Sequence, residues 1–263
     1  MRTDWTSLSV LHDPQNGVLR LQIDNPPLGL LNQVVRQELG TLFEQVRHEA
    51  GVRCIVFGSS ERSFCAGADL REYPLRFDPA VARAHVENAH RMILALVECD
   101  IPVVAELRGA CMGGGFELAL GCSYRVAARS ASFALPEVKR GAWPGTGGMV
   151  LLGRLVRPSI AKRILYTGET LSANAALQLG LVDEVVEDPL LRTRCGELTR
   201  AIGSQPHTSI QTMATLLDRQ FRDGFREHLR VEAEHFIRAY QLPAAREGYA
   251  AFFEKREPRW PCD

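Results

Sequence analysis

Two glutamates, Glu117 and Glu137, stand beside glycine-rich segments in a way that packing alone does not require. Glu117 belongs to Cys111-Met112-Gly113-Gly114-Gly115-Phe116-Glu117-Leu118-Ala119 and is flanked by apolar residues. Three glycines opening a helix leave N–H groups unpaired at the positive end of its dipole, a place suited to an anion or a developing oxyanion. A glycine run can equally be a close-packed crossover. A carboxylate set among Phe116, Leu118 and Leu120, however, is costly to bury without a role.

Glu137 follows Ala134-Leu135-Pro136, an extended approach to a proline, and precedes the loop Gly141-Ala142-Trp143-Pro144-Gly145-Thr146-Gly147-Gly148. Taken singly it reads as a solvated loop acid, and the loop lacks the Lys and Ser/Thr of a phosphate-binding P-loop. A third segment, Phe64-Cys65-Ala66-Gly67-Ala68-Asp69, has small residues that let a ligand approach the main chain, and Asp69 is placed to cap a short helix from Leu70. Alone it is a tight turn with an N-cap. Together the three segments supply two N–H donors and two carboxylates, the parts needed to polarise a carbonyl and move protons at neighbouring carbons.

These segments need elements to hold them. Short apolar or alternating runs predict strands at Leu8 to His12, Val18 to Ile23, Cys54 to Phe57, Val103 to Leu107, Ser123 to Ala127 and Val182 to Val186. Gln33 to His48 and Ala80 to Val97 carry apolar residues on one helical face. From Leu190 the pattern is almost wholly helical, with breaks at Ser204 to His207 and Leu242 to Pro243. The chain is therefore expected to divide near Pro189 into an α/β body, residues 1–189, and a helical region, residues 190–263.

With 263 residues, 46% of them hydrophobic, the chain can bury a sizeable core. Its 31 basic and 31 acidic residues cancel, and the basic ones form no stripe, which argues against nucleic acid as a partner. Cys54, Cys65, Cys99, Cys111, Cys122, Cys195 and Cys262 share no metal-ligand or redox spacing, so a reduced compartment is expected. No cleavable leader and no membrane-spanning run is evident, and a soluble cytoplasmic protein is the expectation.

Over nearly its whole length the sequence resembles the enoyl-CoA hydratase (crotonase) superfamily. The resemblance rests on Asn25-Pro26-Pro27 with Leu30-Leu31-Asn32, on Phe64 to Asp69, Gly113 to Ala119, Pro136-Glu137 and Pro144 to Gly148. It continues through Thr167-Gly168-Glu169, Ala175-Ala176, Gly180-Leu181-Val182-Asp183, Glu247-Gly248 and Phe252-Phe253-Glu254-Lys255-Arg256. It implies an α/β fold, a spiral of ββα units with a helical C-terminal region that serves trimerisation, in a homotrimer or dimer of trimers.

Carried over residue by residue, the resemblance places the oxyanion donors on the N–H groups of Ala66 and Gly114 and catalytic carboxylates on Glu117 and Glu137. It implies addition of water across the 2,3-double bond of an acyl-CoA, with Glu117 activating water and Glu137 exchanging the C2 proton. It places substrate and coenzyme A contacts on Leu28, Leu30, Gly67, Ala68, Asp69, Leu70, Gly113, Phe252 and Lys255. No metal or redox cofactor is required, since coenzyme A enters as part of the substrate, and no membrane partner is implied.

Three departures from the family pattern stand out. Leu28-Gly29 occupies a stretch where relatives carry a basic residue, Met149-Val150-Leu151 replaces a polar triplet after Gly148, and Trp143 is bulkier than usual, which implies a reshaped acyl pocket. Competing readings use the same parts: an enoyl-CoA isomerase needing only Glu137, an acyl-CoA hydrolase, or a non-catalytic acyl-CoA-binding scaffold. Glu117 favours hydration over the first two, and the intact pair of acids argues against the last.

Overall fold

A computed structural model describes residues 4–49 and 51–261. Cys262 lies outside the described residues. Strands β1 (Leu8–Asp13) and β2 (Val18–Ile23) form an antiparallel hairpin, followed by α1 (Gln33–Val46). Asn32 caps α1 by accepting the Val35 N–H at 2.9 Å. Next come β3 (Cys54–Ser59), the 3-10 turns Leu70–Glu72 and Pro74–Phe77, and α2 (Pro79–Val97). The Asp78 carboxylate caps α2, and Pro79 occupies a first-turn position where no N–H is needed.

Two further turns of the chain repeat a strand, strand, helix order. Strands β4 (Val103–Leu107) and β5 (Ala110–Met112) lead into α3 (Gly114–Gly121); β6 (Tyr124–Ala128) and β7 (Ser132–Ala134) lead into a 3-10 turn, Glu137–Arg140, and then α4 (Gly148–Leu155). Helix α5 (Pro158–Thr167), β8 (Leu171–Ser172), α6 (Ala173–Gln178) and β9 (Glu184–Val186) complete the body. Helices α7 (Leu191–Gly203), α8 (His207–Ala239) and α9 (Pro243–Glu254) follow, with breaks where the sequence places them.

The strands form two ranks. A six-stranded sheet runs β1-β2-β3-β4-β6-β9 and is parallel apart from the first hairpin; a smaller sheet runs β5-β7-β8. The pairs Leu31–Ala68 and Cys65–Cys111 extend the smaller rank by isolated bridges. Short strands β5, β7 and β8 were not apparent from alternation, because two or three residues carry too little pattern.

The central strands are buried on both faces, as a covered parallel sheet requires. Cys54 and Val56 point towards Leu191 and Cys195 of α7, so the helical region shares a core with the body. Ile55 and Phe57 point the other way into the main core, where Phe57 meets Phe43 and Phe64 edge-on at 5.8 and 5.2 Å. Helix α8, 33 residues long, packs along α2. Among the described residues no helix is long and apolar enough to cross a membrane, and the six described cysteines are free and buried.

Successive turns of the spiral are in close contact. A Cβ added at Gly115 would stand 2.4 Å from the Cys65 carbonyl oxygen and 2.6 Å from its Cβ. Backbone and core atoms cannot yield easily, so Gly115→Ala is expected to lose about 1–3 kcal/mol of stability through overpacking. Urea unfolding checks this; an unchanged midpoint would show that the two turns are not in rigid contact.

Candidate functional site

A pocket of about 560 Å³ opens between the Phe64 to Leu70 segment, the glycine run and the C-terminal helices. Leu28, Leu30 and Phe252 contribute to its wall near solvent, with Leu28 43% and Phe252 47% exposed. Gly67, Ala68, Asp69 and Leu70 line it, as do Gly113 and Glu137. Tyr73, Arg76 and Tyr240 also line it and are buried. Lys255 is not in the wall: it is exposed, and at φ 54° it terminates α9 in the left-handed conformation.

Strand register sets the main-chain donors. Cys65 pairs with Cys111, its N–H reaching the Ala110 carbonyl at 3.2 Å and its carbonyl accepting from Met112 at 3.0 Å. Three residues beyond each cysteine stand Ala68 and Gly114, equivalent positions in adjacent turns. On the other side, Leu31 donates to the Gly67 carbonyl and accepts from Asp69, so the Ala68 N–H faces away from Leu31. The Gly114 N–H lies in the first turn of α3, where no intrahelical acceptor exists.

Ala66 differs from the expectation. Its N–H donates to the Leu28 carbonyl at 3.1 Å and is engaged in holding the Leu28 loop. In the alternation of this short extended segment it is the Ala68 N–H that turns away from Leu31, a distinction that one residue of register decides.

The three glycines have three separate reasons. Gly113 adopts φ 53°, and a Cβ there would stand 2.7 Å from the Glu137 Oε1. Gly115 is forced by Cys65. Around Gly114 an added Cβ would meet the Leu31 Cδ1 at 3.0 Å and the Glu117 Oε2 at 3.8 Å. The run thus brings both glutamates close to one stretch of main chain.

Glu117 is 2% exposed on α3, and its Oε1 accepts the N–H groups of both Thr146 and Gly148 at 2.8 Å. Burial, with the neighbouring Glu137 and Glu232 carboxylates, pushes its carboxyl well above the usual range, and the two N–H donors oppose that shift. Gly148 has to be glycine here, because a Cβ would fall 2.6 Å from the Glu117 Cγ. The apolar Met149-Val150-Leu151 substitution leaves this arrangement in place: α4 begins at Gly148, and Leu151 is buried in the main core.

Glu137 begins a 3-10 turn rather than an extended stretch. Its Oε2 is buried without a hydrogen-bond partner, and burial raises its carboxyl to about 7, opposed by its own backbone and by Arg140. Trp143 packs with Tyr73, Phe236 and Tyr240 in an aromatic cluster behind the pocket. Asp69 caps the Leu70–Glu72 turn as expected and pairs with Arg71 at 2.7 Å, placing an 81% exposed arginine at the mouth.

Glu232 was not singled out by the sequence reading. Buried on α8, it accepts the Gly147 N–H at 2.9 Å and contacts His90 at 3.0 Å and His228 at 3.3 Å. Burial raises its carboxyl, but the contacts with His228 and His90 and the Gly147 N–H leave it lowered overall. Three consecutive N–H groups, those of Thr146, Gly147 and Gly148, are therefore gripped alternately by two carboxylates. The only sequence signal was the His228–Glu232 spacing on a polar helix, which reads as a solvated face until α8 is laid against α2.

The sequence profile of the family described as "Enoyl-CoA hydratase/isomerase" matches residues 13–262. A probable enoyl-CoA hydratase of Bacillus subtilis (strain 168) is 33% identical over 244 residues, covering 91% of this chain and 93% of that protein. A carnitinyl-CoA dehydratase of Citrobacter koseri is 30% identical over 262 residues, covering 95% and 97%. Among solved structures, an enoyl-CoA hydratase/isomerase from Pseudoalteromonas atlantica T6c superposes with a TM-score of 0.87 at 27% identity, covering 97% of this chain and 100% of that one. An enoyl-CoA hydratase from Mycobacterium avium subsp. paratuberculosis K-10 shares the fold with a TM-score of 0.88 at 23% identity, covering 98% and 100%. Matched by the family profile over residues 13–262 and by a relative 33% identical over 244 residues, this chain belongs to the enoyl-CoA hydratase/isomerase family, the crotonase superfamily.

Proposed function

We propose that this protein is an enoyl-CoA hydratase, adding water across the 2,3-double bond of an acyl-CoA thioester. The observation that carries the reading is the pair of glutamates, buried Glu117 and half-buried Glu137, set against the main chain at Gly113 and Gly114. An isomerase needs one proton shuttle, and here there are two. The relatives' names, a hydratase and a dehydratase, support water chemistry in one direction or the other.

In this mechanism the thioester oxygen accepts from the N–H groups of Ala68 and Gly114 as negative charge moves onto it. Each donor is worth a factor of about 100–1,000 in rate. Glu117 takes a proton from the water that bonds to C3, and Glu137 gives a proton to C2. One proton thus enters the pair as another leaves it, and the net addition is one water. General acid-base work of this kind contributes roughly 100–10,000-fold per group.

Two carboxylates so close together cannot both be ionised cheaply, and they hold one proton between them. The two N–H groups on the Glu117 Oε1 favour charge on that residue, while the unpartnered Oε2 of Glu137 suits a protonated carboxyl. Coenzyme A lies at the open end, beside Leu28, Leu30, Phe252 and Arg71. Copies of the chain assemble as a trimer or dimer of trimers, a reading supported by Met213, Leu216 and Leu217, which are exposed on α8.

Loss of the conjugated thioester absorbance on adding crotonyl-CoA and longer 2-enoyl-CoAs is the direct test. Isomerisation or release of CoA with no hydration of any substrate would refute the assignment. Glu117→Gln and Glu137→Gln are each expected to slow hydration at least about 100-fold while leaving saturated acyl-CoA binding nearly unchanged. Full activity in either variant removes that glutamate from the chemistry. Because burial raises Glu137 to about 7, it is protonated below that pH and loses its proton above it. Hydration kcat/KM should therefore fall as pH rises through about 7, and a rate that climbs through that range would overturn Glu137 as the acid.

A further inference from the structure

Helix α8 buries Phe225, Leu229, Glu232, Phe236 and Ala239, and Glu232 is the single ionisable residue on that face. A Leu or Met would fill the same place at lower cost, since a buried carboxylate gives up its hydration. The Glu232 Oε1 accepts the Gly147 N–H at 2.9 Å and lies 3.0 Å from the His90 Nε2 on α2. Its Oε2 lies 3.3 Å from the His228 Nε2, one turn earlier on α8. The two imidazoles fix the rotation of the carboxylate, which is left holding the main chain of the loop before α4.

That loop, Gly145-Thr146-Gly147-Gly148, has little stiffness of its own, because glycine restricts its backbone angles least of all residues. Two of its glycines are imposed by α8: a Cβ at Gly145 would collide with the Phe236 ring, and one at Gly147 would stand 2.6 Å from the Phe225 Cζ. The third, Gly148, is imposed by the Glu117 side chain. Close packing thus removes the side chains that would have stiffened the loop, and hydrogen bonds have to define its path instead.

Successive N–H groups of the loop are drawn to opposite sides. Those of Thr146 and Gly148 both reach the Glu117 Oε1 at 2.8 Å, and the one between them goes to Glu232. Each peptide unit is planar, so turning the Gly147 N–H away from Glu232 would rotate the neighbouring units with it. With Oε1 engaged in this way, the Glu117 Oε2 is the oxygen on the Gly114 side, 3.8 Å from where a Cβ on that residue would lie. The aim of Oε2 therefore depends on a loop that α8 holds from behind.

We propose that Glu232 is a positioning residue for Glu117: by holding the Gly147 N–H it keeps the flanking N–H groups on the Glu117 Oε1, and so aims Oε2 at the water that bonds to C3. This deepens the hydratase reading and rests on it for the role of Glu117, but the hold on the loop is measurable without any turnover. Glu232, His90 and His228 are not in the pocket wall, and their effect passes through the main chain.

Substitutions at Glu232 separate the bond from the charge. Glu232→Met removes both at similar volume, Glu232→Asp keeps the charge but is one methylene too short to reach Gly147, and Glu232→Gln keeps an accepting oxygen of the same reach without the charge. Glu232→Met and Glu232→Asp are expected to lower kcat for crotonyl-CoA about 10–100-fold with KM within about twofold, the effect of a small misplacement of a reacting group. Glu232→Gln should restore kcat to within about threefold of the unmodified protein. On a Glu117→Gln background Glu232→Met should cost nothing further, whereas a general packing defect would add its full effect. Amide hydrogen exchange at Thr146, Gly147 and Gly148 should quicken at least about tenfold in the Met and Asp variants. Unchanged kcat in folded Glu232→Met, or in Glu232→Asp should the first not fold, overturns the proposal, as does full additivity with Glu117→Gln or unchanged exchange at Thr146 and Gly148. Absence of hydration by the unmodified protein refutes the hydratase assignment alone, and the exchange rates then decide the hold on the loop by themselves.

Discussion

Cys65 lies beside Cys111 in a parallel bridge, and most of the site depends on that alignment. It brings two turns of the spiral into step, so that Ala68 and Gly114 arrive side by side after equal lengths of chain. The next turn is tied in by the pairing of Cys111 with Phe133, which carries Glu137 to the glycine run. A shift of one residue in either pairing would turn the alternate N–H groups towards the wrong neighbour. Small residues at Gly113 and Gly115 permit the alignment, and the buried aromatic contacts of Phe57 with Phe43 and Phe64 stiffen the layer beneath it.

Burying Glu117 at the end of this alignment is unfavourable, and the chain offsets it with main-chain donors, whereas the charge of Arg140 helps to oppose the shift at Glu137. Glu117 receives two N–H groups from the loop after Trp143, and Glu232 receives the one between them. The loop is thereby fixed by α3 from one side and α8 from the other. A cation at the same place would have locked Glu117 in its ionised state. Neutral dipoles hold its geometry and oppose only in part the rise that burial imposes.

Much of this was legible in the sequence where a local rule governed it. The Asp69 cap, the six principal strands, the breaks at Ser204 to His207 and Leu242 to Pro243, and the glycine run before Glu117 follow from turn chemistry and periodicity. The family order of these segments pointed to the fold. The Ala66 N–H, which the motif offers as a donor, is taken by the Leu28 carbonyl, because the direction of each N–H is a property of strand register that residue types do not encode. Glu232 is not legible in the sequence for a related reason. It lies on a helix whose polar residues look solvated until α2 covers them. Conversely, Lys255 fits the family motif but stands outside the pocket wall, since its position is set by where α9 ends.

The N–H groups of Ala68 and Gly114 belong to the backbone, and every residue type but proline supplies one. Side-chain replacement therefore cannot delete them individually; it can only displace the chain that carries them. Acids at the two glutamate positions are by contrast exchangeable one codon at a time. The heritable part of this site is consequently divided into a main-chain element that drift cannot easily erase and a set of side chains that drift can rewrite. A lineage built on this chain could change its acids without first losing the main-chain frame that holds them.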